Sequence, residues 1–247
     1  FPQKCIGCEA CLEVCPNNAH VVTDGGRQFI RARCEGCGAC ADVCYAGALV
    51  LVGDQVSIED VMAEVLADRA FYESSGGGVT LSGGEPTLQM DFAYAILARS
   101  QEAGIHTAIE TNAHCRWEDL ERLLTVTDLV MTDIKHMDPE IHREVTGVSN
   151  DRIIANHRRL MATDKPVILR TPVIPTVNAS DAAIEAIAAY VRELEEIRAE
   201  TGSEGGRPRL ELLPFHRLAS DKFRSLDLAY EAEDLKAPDK EAMAGWV

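Results

Sequence analysis

The 247 residues carry 40 acidic against 24 basic side chains, a formal charge of −16, with 46% hydrophobic and 5% aromatic residues. That length and apolar fraction suit one α/β domain with a small attachment and exclude a disordered chain. The acidic balance disfavours nucleic acid and anionic membrane as partners, no apolar stretch approaches a bilayer-spanning length, and the opening residues lack a signal peptide's basic-then-apolar order, so the chain reads as cytoplasmic.

The first fifth of the chain is organised by cysteine. Lys4 to Pro16 reads K-C-I-G-C-E-A-C-L-E-V-C-P and Arg33 to Tyr45 reads R-C-E-G-C-G-A-C-A-D-V-C-Y, an internal repeat offset by 29 residues. Each copy is a C-x2-C-x2-C-x3-C run. Three close thiolates grip one cubane and the fourth reaches across to the other. Cys5, Cys8, Cys11 and Cys44 are therefore expected to hold one [4Fe-4S] cluster, and Cys34, Cys37, Cys40 and Cys15 the second. Gly7, Gly36 and Gly38 give the backbone room to turn around the inorganic core. Tetrahedral zinc is the competing reading, but zinc sites usually pair two C-x2-C units across a longer gap. Tyr45 stands where such runs usually carry proline. Gly26 to Arg33 reads as the short connection between the two runs.

Past residue 53 the composition changes to alternating helix and strand patterns. The expected division is a ferredoxin-like domain over 1–53 and a parallel α/β domain over 54–247. Ser57 with Asp60 makes a capping box for a helix running to about Tyr72. Strands are expected over Val79–Ser82, His106–Thr111, Asp128–Ile134, Val167–Thr171 and Arg209–Pro214. Helices are expected over Gln89–Ala103, Trp117–Leu124, Asn150–Ala162 and Ser180–Glu200.

In parallel α/β folds, function gathers past the carboxyl ends of the strands. Polar clusters stand at those positions: Ser82-Gly83-Gly84-Glu85-Pro86, Glu110-Thr111-Asn112, Asp133-Ile134-Lys135, Arg170 and His216. Alone, Gly83-Gly84 is a tight turn, Lys135 and Arg170 are surface charges and His216 is a core histidine. Their shared address on one rim favours a site. Cys115 stands apart from the cluster motifs and reads as an inert small residue.

Four stretches carry a resemblance: V-T-L-S-G-G-E-P-T-L-Q at Val79 to Gln89, D-L-V-M-T-D-I-K-H-M-D-P-E-I-H at Asp128 to His142, T-G-V-S-N at Thr146 to Asn150, and L-L-P-F-H at Leu212 to His216. Over nearly its whole length the chain resembles the activating enzymes of glycyl radical enzymes, in the radical S-adenosylmethionine (SAM) superfamily. The cysteine region is similar to the ferredoxin-like insert of that family's longer members. The resemblance implies a partial (β/α)6 TIM-like radical SAM barrel with an inserted 2[4Fe-4S] domain. It also implies roles for the rim. Gly83, Gly84 and Glu85 hold the amino group of SAM's methionyl part, Asp133, Ile134 and Lys135 approach its carboxylate, and His216 contacts it. Arg170 lies on the substrate side. Glu110, with Thr111 and the Met131 backbone, matches a site that holds a monovalent cation in some relatives.

One departure stands out: the family's C-x3-C-x2-C loop, which binds the radical [4Fe-4S] cluster, occurs nowhere in the 247 residues. The expectation is that this third cluster, its loop and the first barrel strand lie on residues before Phe1, and that the chain alone is inactive. For the intact enzyme the resemblance implies reductive cleavage of SAM and hydrogen removal from a glycine of a partner glycyl radical enzyme. The two accessory clusters would relay electrons from a ferredoxin or flavodoxin. Two other readings are a ferredoxin-type electron carrier on a barrel without a radical cluster, and a radical SAM enzyme acting on a small molecule.

Overall fold

The computed structural model describes residues 1–226 and 228–246, so Asp227 and Val247 lie outside the described residues. They form two compact units, Phe1–Gln55 with Arg217–Glu233 and Val56–His216 with Asp234–Val247. The sequence placed the change at 53/54 and everything after it in the second domain. By compactness the change falls at 55/56, and Arg217–Glu233 groups with the first unit.

In the first unit the internal repeat is visible in the backbone. Each cysteine run follows a single 3-10 turn, Pro2–Lys4 or Arg31–Arg33, and ends in a short helix, α1 (Ala10–Val14) or α2 (Ala39–Asp42). Between turn and helix the chain passes twice through the left-handed region, at Gly7 (φ 70°) and Glu9 (φ 63°) in the first copy and at Gly36 (φ 71°) and Gly38 (φ 83°) in the second. Glu9 therefore accepts, at a cost of roughly 1 kcal/mol, a conformation that Gly38 takes freely. Between the copies lie β1 (His20–Thr23) and β2 (Gly26–Phe29), an antiparallel pair with His20 opposite Phe29 and Thr23 opposite Gly26.

The second unit opens with the expected capping box. Ser57 Oγ accepts from the Asp60 amide while the Asp60 carboxylate accepts from the Ser57 amide. The expected single helix is two, α3 (Ile58–Ala67) and α4 (Arg69–Ser75), because the chain leaves helical geometry at Asp68. There Arg69 Nη2 donates to the Ala103 carbonyl at 2.7 Å, a contact made across 34 residues that periodicity does not contain.

Five parallel strands follow in chain order, β3 (Gly78–Leu81), β4 (His106–Thr111), β5 (Leu129–Asp133), β6 (Val167–Val173) and β7 (Arg209–Pro214). The crossovers are α5 (Met90–Glu102), α6 (Trp117–Leu124), α7 (Pro139–Thr146), α8 (Asp151–Met161) and α9 (Asp181–Thr201). Helix α7 was not expected, although its punctuation is legible: Asp138 caps the Glu140 and Ile141 amides, Pro139 is its first residue, and Gly147 ends it at φ 85°. Strand β6 outruns its expected end at Thr171 and includes Pro172. Ile134 donates to the Arg170 carbonyl, so Arg170 and Pro172 both face the β5 side, where β5 has already ended. The missing proline N–H thus breaks no ladder bond.

One sheet face packs on the helices. Ile109, Val130 and Leu169 from the strands meet Leu97, Leu120, Leu123, Leu160, Ile187 and Leu194, all fully buried. Each such side chain contributes about 2 kcal/mol of burial. The opposite face has a thin apolar floor of Ala108, Met131 and Ile168. Farther along the same strands that face turns polar, with Glu110, Asp133, Arg170 and Glu211. Strand alternation thus places the charges on the face opposite that helix layer. The remaining helices are α10 (Ser220–Ser225), in the first unit, and α11 (Lys240–Gly245), in the second. Among the described residues no helix is long and apolar enough to cross a membrane.

Candidate functional site

The eight cysteines of the first unit are free thiols sorted into two crossed sets. Cys5, Cys8 and Cys11 line one pocket together with Cys44, which comes from the other run. The second set is seen at Cys40: burial pushes its thiol up, and the charges of Cys34, Cys15 and Cys37 nearby push it further. Backbone amides point at the sulfurs. Cys15 Sγ accepts from the Ala19 amide at 3.3 Å, and its thiol is held below the ordinary value chiefly by that bond. The Leu49 amide does the same at Cys44. Four thiols lining one pocket, with amides directed at sulfur, fit a cubane.

In the second unit the structure groups the predicted rim residues into three knots. At the ends of β3 and β4, Gly83 turns the chain at φ 103° and Glu85 follows. The Glu85 carboxylate accepts from the Thr87 amide (3.2 Å) and hydroxyl (2.9 Å), the Thr111 hydroxyl (2.7 Å) and the Asn112 amide (2.8 Å). Gly84 lies exposed between them. The turn that aims the Asn112 amide runs through Ala113, buried and left-handed at φ 55°. Such strain persists only where surroundings enforce it. Here the Thr111 hydroxyl accepts from the Ala113 amide and Asn156 Nδ2 donates to the Ala113 carbonyl.

The second knot is ionic. Arg170 Nη1 donates to Glu110 Oε1 at 3.2 Å, Arg170 Nε donates to Glu211 Oε2 at 3.0 Å, and Ser82 Oγ donates to the other Glu110 oxygen at 2.7 Å. Glu110 and Met131, expected beside a monovalent cation, are register partners on β4 and β5. The positive charge at Glu110 is the Arg170 guanidinium. The third knot is Lys135 Nζ donating to Asp133 Oδ2 at 2.6 Å, both half-buried, around a fully buried Ile134. His216 is exposed just past β7, with no hydrogen bond to the other predicted residues among those described.

Sequence reasoning missed the residues that hold the rim in place. Three buried asparagines behind it donate to loop carbonyls: Asn156 to Ala113 and Cys115, Asn150 to His136 and Met137, and Asn178 to Lys135 and Pro172. Asparagine carries no periodic signal, so none of these was legible. Glu211 was missed as well, because its place opposite Arg170 is a matter of strand register, which a single sequence does not print. Burial, with help from the Glu85 charge, pushes the Cys115 thiol up to about 11, which makes it unreactive as expected.

Two family models match the chain, and they overlap across the second cysteine run. The model of the radical SAM superfamily matches residues 33–201, and that of the 4Fe-4S dicluster domain matches residues 4–48. The chain belongs to the radical SAM superfamily; its cofactors are SAM and [4Fe-4S] clusters. It is 41% identical over 242 residues to the (2S)-3-sulfopropanediol dehydratase activating enzyme of Klebsiella oxytoca, covering 96% of this chain and 74% of that one. It is 37% identical over 242 residues to the trans-4-hydroxy-L-proline dehydratase activating enzyme of Clostridioides difficile, covering 98% of this chain and 77% of the relative. The crystal structure of a domain of pyruvate-formate lyase-activating enzyme from Bacteroides vulgatus superposes with a TM-score of 0.55 at 29% identity, over 69% of this chain and 90% of that domain. Within the superfamily, the chain is therefore a member of the glycyl radical enzyme activating enzymes, which cleave SAM to place a glycyl radical on a partner enzyme.

Proposed function

We propose that the rim of the five-stranded sheet binds SAM by its methionyl end and that the crossed cysteine sets feed electrons toward it. Glu85, with Gly83 and Gly84, takes the ammonium; Lys135, with Asp133 and Ile134, takes the carboxylate; His216 lies alongside. Thr111 acts by fixing Glu85. Arg170 faces the glycine-bearing loop of the partner, a dehydratase or lyase of the kind the relatives are named for. The electron donor is a ferredoxin or flavodoxin, and the setting is the cytoplasm. The charge at Glu110 is balanced by Arg170, so the proposal includes no inorganic cation.

The observation that carries this reading is the Glu85 carboxylate, held by four hydrogen bonds from two loops. A carboxylate so fixed is preorganised for a cation and pays no reorientation entropy on binding. Lys135 provides the opposite charge on the loop after β5, two strands along from the Glu85 loop, and is kept in place by Asp133. Bound SAM supplies, on reductive cleavage, the 5'-deoxyadenosyl radical that takes hydrogen from glycine. The chain's own residues bind and orient.

The test is SAM binding by cluster-loaded protein carrying Glu85→Gln or Lys135→Met. Loss of one charge-assisted contact weakens binding about tenfold, while the visible absorbance of the clusters stays unchanged. Affinities within twofold of the parent would refute the assignment.

A further inference from the structure

The two cysteine runs are alike, but their surroundings are not. After the first run the chain reads Ala19-His20-Val21-Val22, and at the equivalent place after the second it reads Ala48-Leu49-Val50-Leu51. Histidine thus stands where the repeat has an aliphatic residue. His20 is buried, at 3% exposure, and stacks on Phe29 opposite it in the hairpin, with ring centroids 5.0 Å apart. Arg27 shares that face of the hairpin, two residues along from Phe29, and its Nη1 donates to His20 Nδ1 at 3.0 Å. The other face of this contact is the cluster cavity, because Arg27 lines the same space as Cys5, Cys8, Cys11 and Cys44.

We infer that Arg27, anchored on His20, raises the reduction potential of the cluster held by Cys5, Cys8, Cys11 and Cys44 above that of the second cluster. The reasoning is electrostatic. Reduction adds one electron to an already anionic cluster and its four thiolates, and a fixed cation beside them stabilises the more negative state. Glu9 also lines the cavity, but it is exposed, whereas Arg27 is half-buried and so less screened by solvent. His20 makes the effect specific, since without an acceptor a long arginine would turn to solvent. Under the relay proposed above, an electron from the donor protein comes to rest first on this cluster.

The test reads potentials and not activation, so it stands or falls separately from the SAM site. The 247-residue chain, loaded with iron and sulfide without oxygen, is titrated with dithionite and followed by electron paramagnetic resonance. The parent shows two one-electron steps. In Arg27→Gln the higher step falls by roughly tenfold in its reduction equilibrium, about 59 mV for one electron, and the lower step stays. Arg27→Lys, which keeps the charge, retains most of the separation. If Arg27→Gln does not assemble both clusters, His20→Leu carries the test, since it leaves the arginine's charge but removes its anchor, and the same step must fall. An unmoved higher step in variants holding both clusters overturns the inference, and so does a shift confined to the lower step.

Discussion

Replacing Asn178 by leucine tests whether the rim is held from behind. Asn178 is fully buried between β6 and α9. Its Nδ2 donates to the carbonyls of Lys135 (2.7 Å) and Pro172 (2.9 Å), and its Oδ1 accepts from the Ile174 amide (2.7 Å). Leucine keeps the branching and the number of side-chain heavy atoms, so no cavity term enters. It leaves two carbonyls and one amide without their partner. At about 1 kcal/mol net for each lost bond, the cost is about 3 kcal/mol. For a unit of this size 1 kcal/mol moves Tm by about 2–4 °C, so the melt followed by circular dichroism at 222 nm drops by about 6–12 °C. Because the amide pins the backbone of Lys135, SAM affinity falls with it. A melt within about 2 °C of the parent would show that the buried amide does not hold the loops.

Crossed ligation predicts a specific metal count. Cys44→Ser lowers iron from about eight to about four per chain, and adding Cys8→Ser leaves it near four, because both thiols serve one cluster. Iron near zero in the double variant would mean that each run holds its own cluster. His157 predicts a pH dependence. Buried, with Nε2 2.9 Å from Thr132 Oγ1, it is pushed by burial down to about 3. Below about pH 6.5 the unfolded chain takes up a proton that the native state refuses, so stability falls toward pH 3 by up to about 1.4 kcal/mol per pH unit. Urea midpoints measured between about pH 7 and 5 fall less steeply in His157→Gln than in the parent; equal slopes would sink the assignment.

The cysteine spacing alone determined the first unit's chemistry. Three thiolates within seven residues cannot reach far, and the fourth, past a short helix, points elsewhere, so crossed sets follow from local geometry. The order of strands was likewise legible, since β3 to β7 are apolar runs separated by helical periods and parallel sheets need such crossovers. Helix α7 was written in Asp138, Pro139 and Gly147, but a capping signal without a long apolar stripe does not announce itself.

What tertiary structure alone decided is which rim residues touch. Glu85 meets Thr111 and Asn112 across 26 residues or more, Arg170 meets Glu110 across 60, and Asn178 meets Lys135 across 43. Those pairings depend on strand register and on polar side chains buried behind the loops. Periodicity reports which face a residue takes and carries no information about its partner across the sheet. The same holds for Arg27. Sequence shows a basic residue in the connection between the two cysteine runs, and only the fold puts it beside four cysteines.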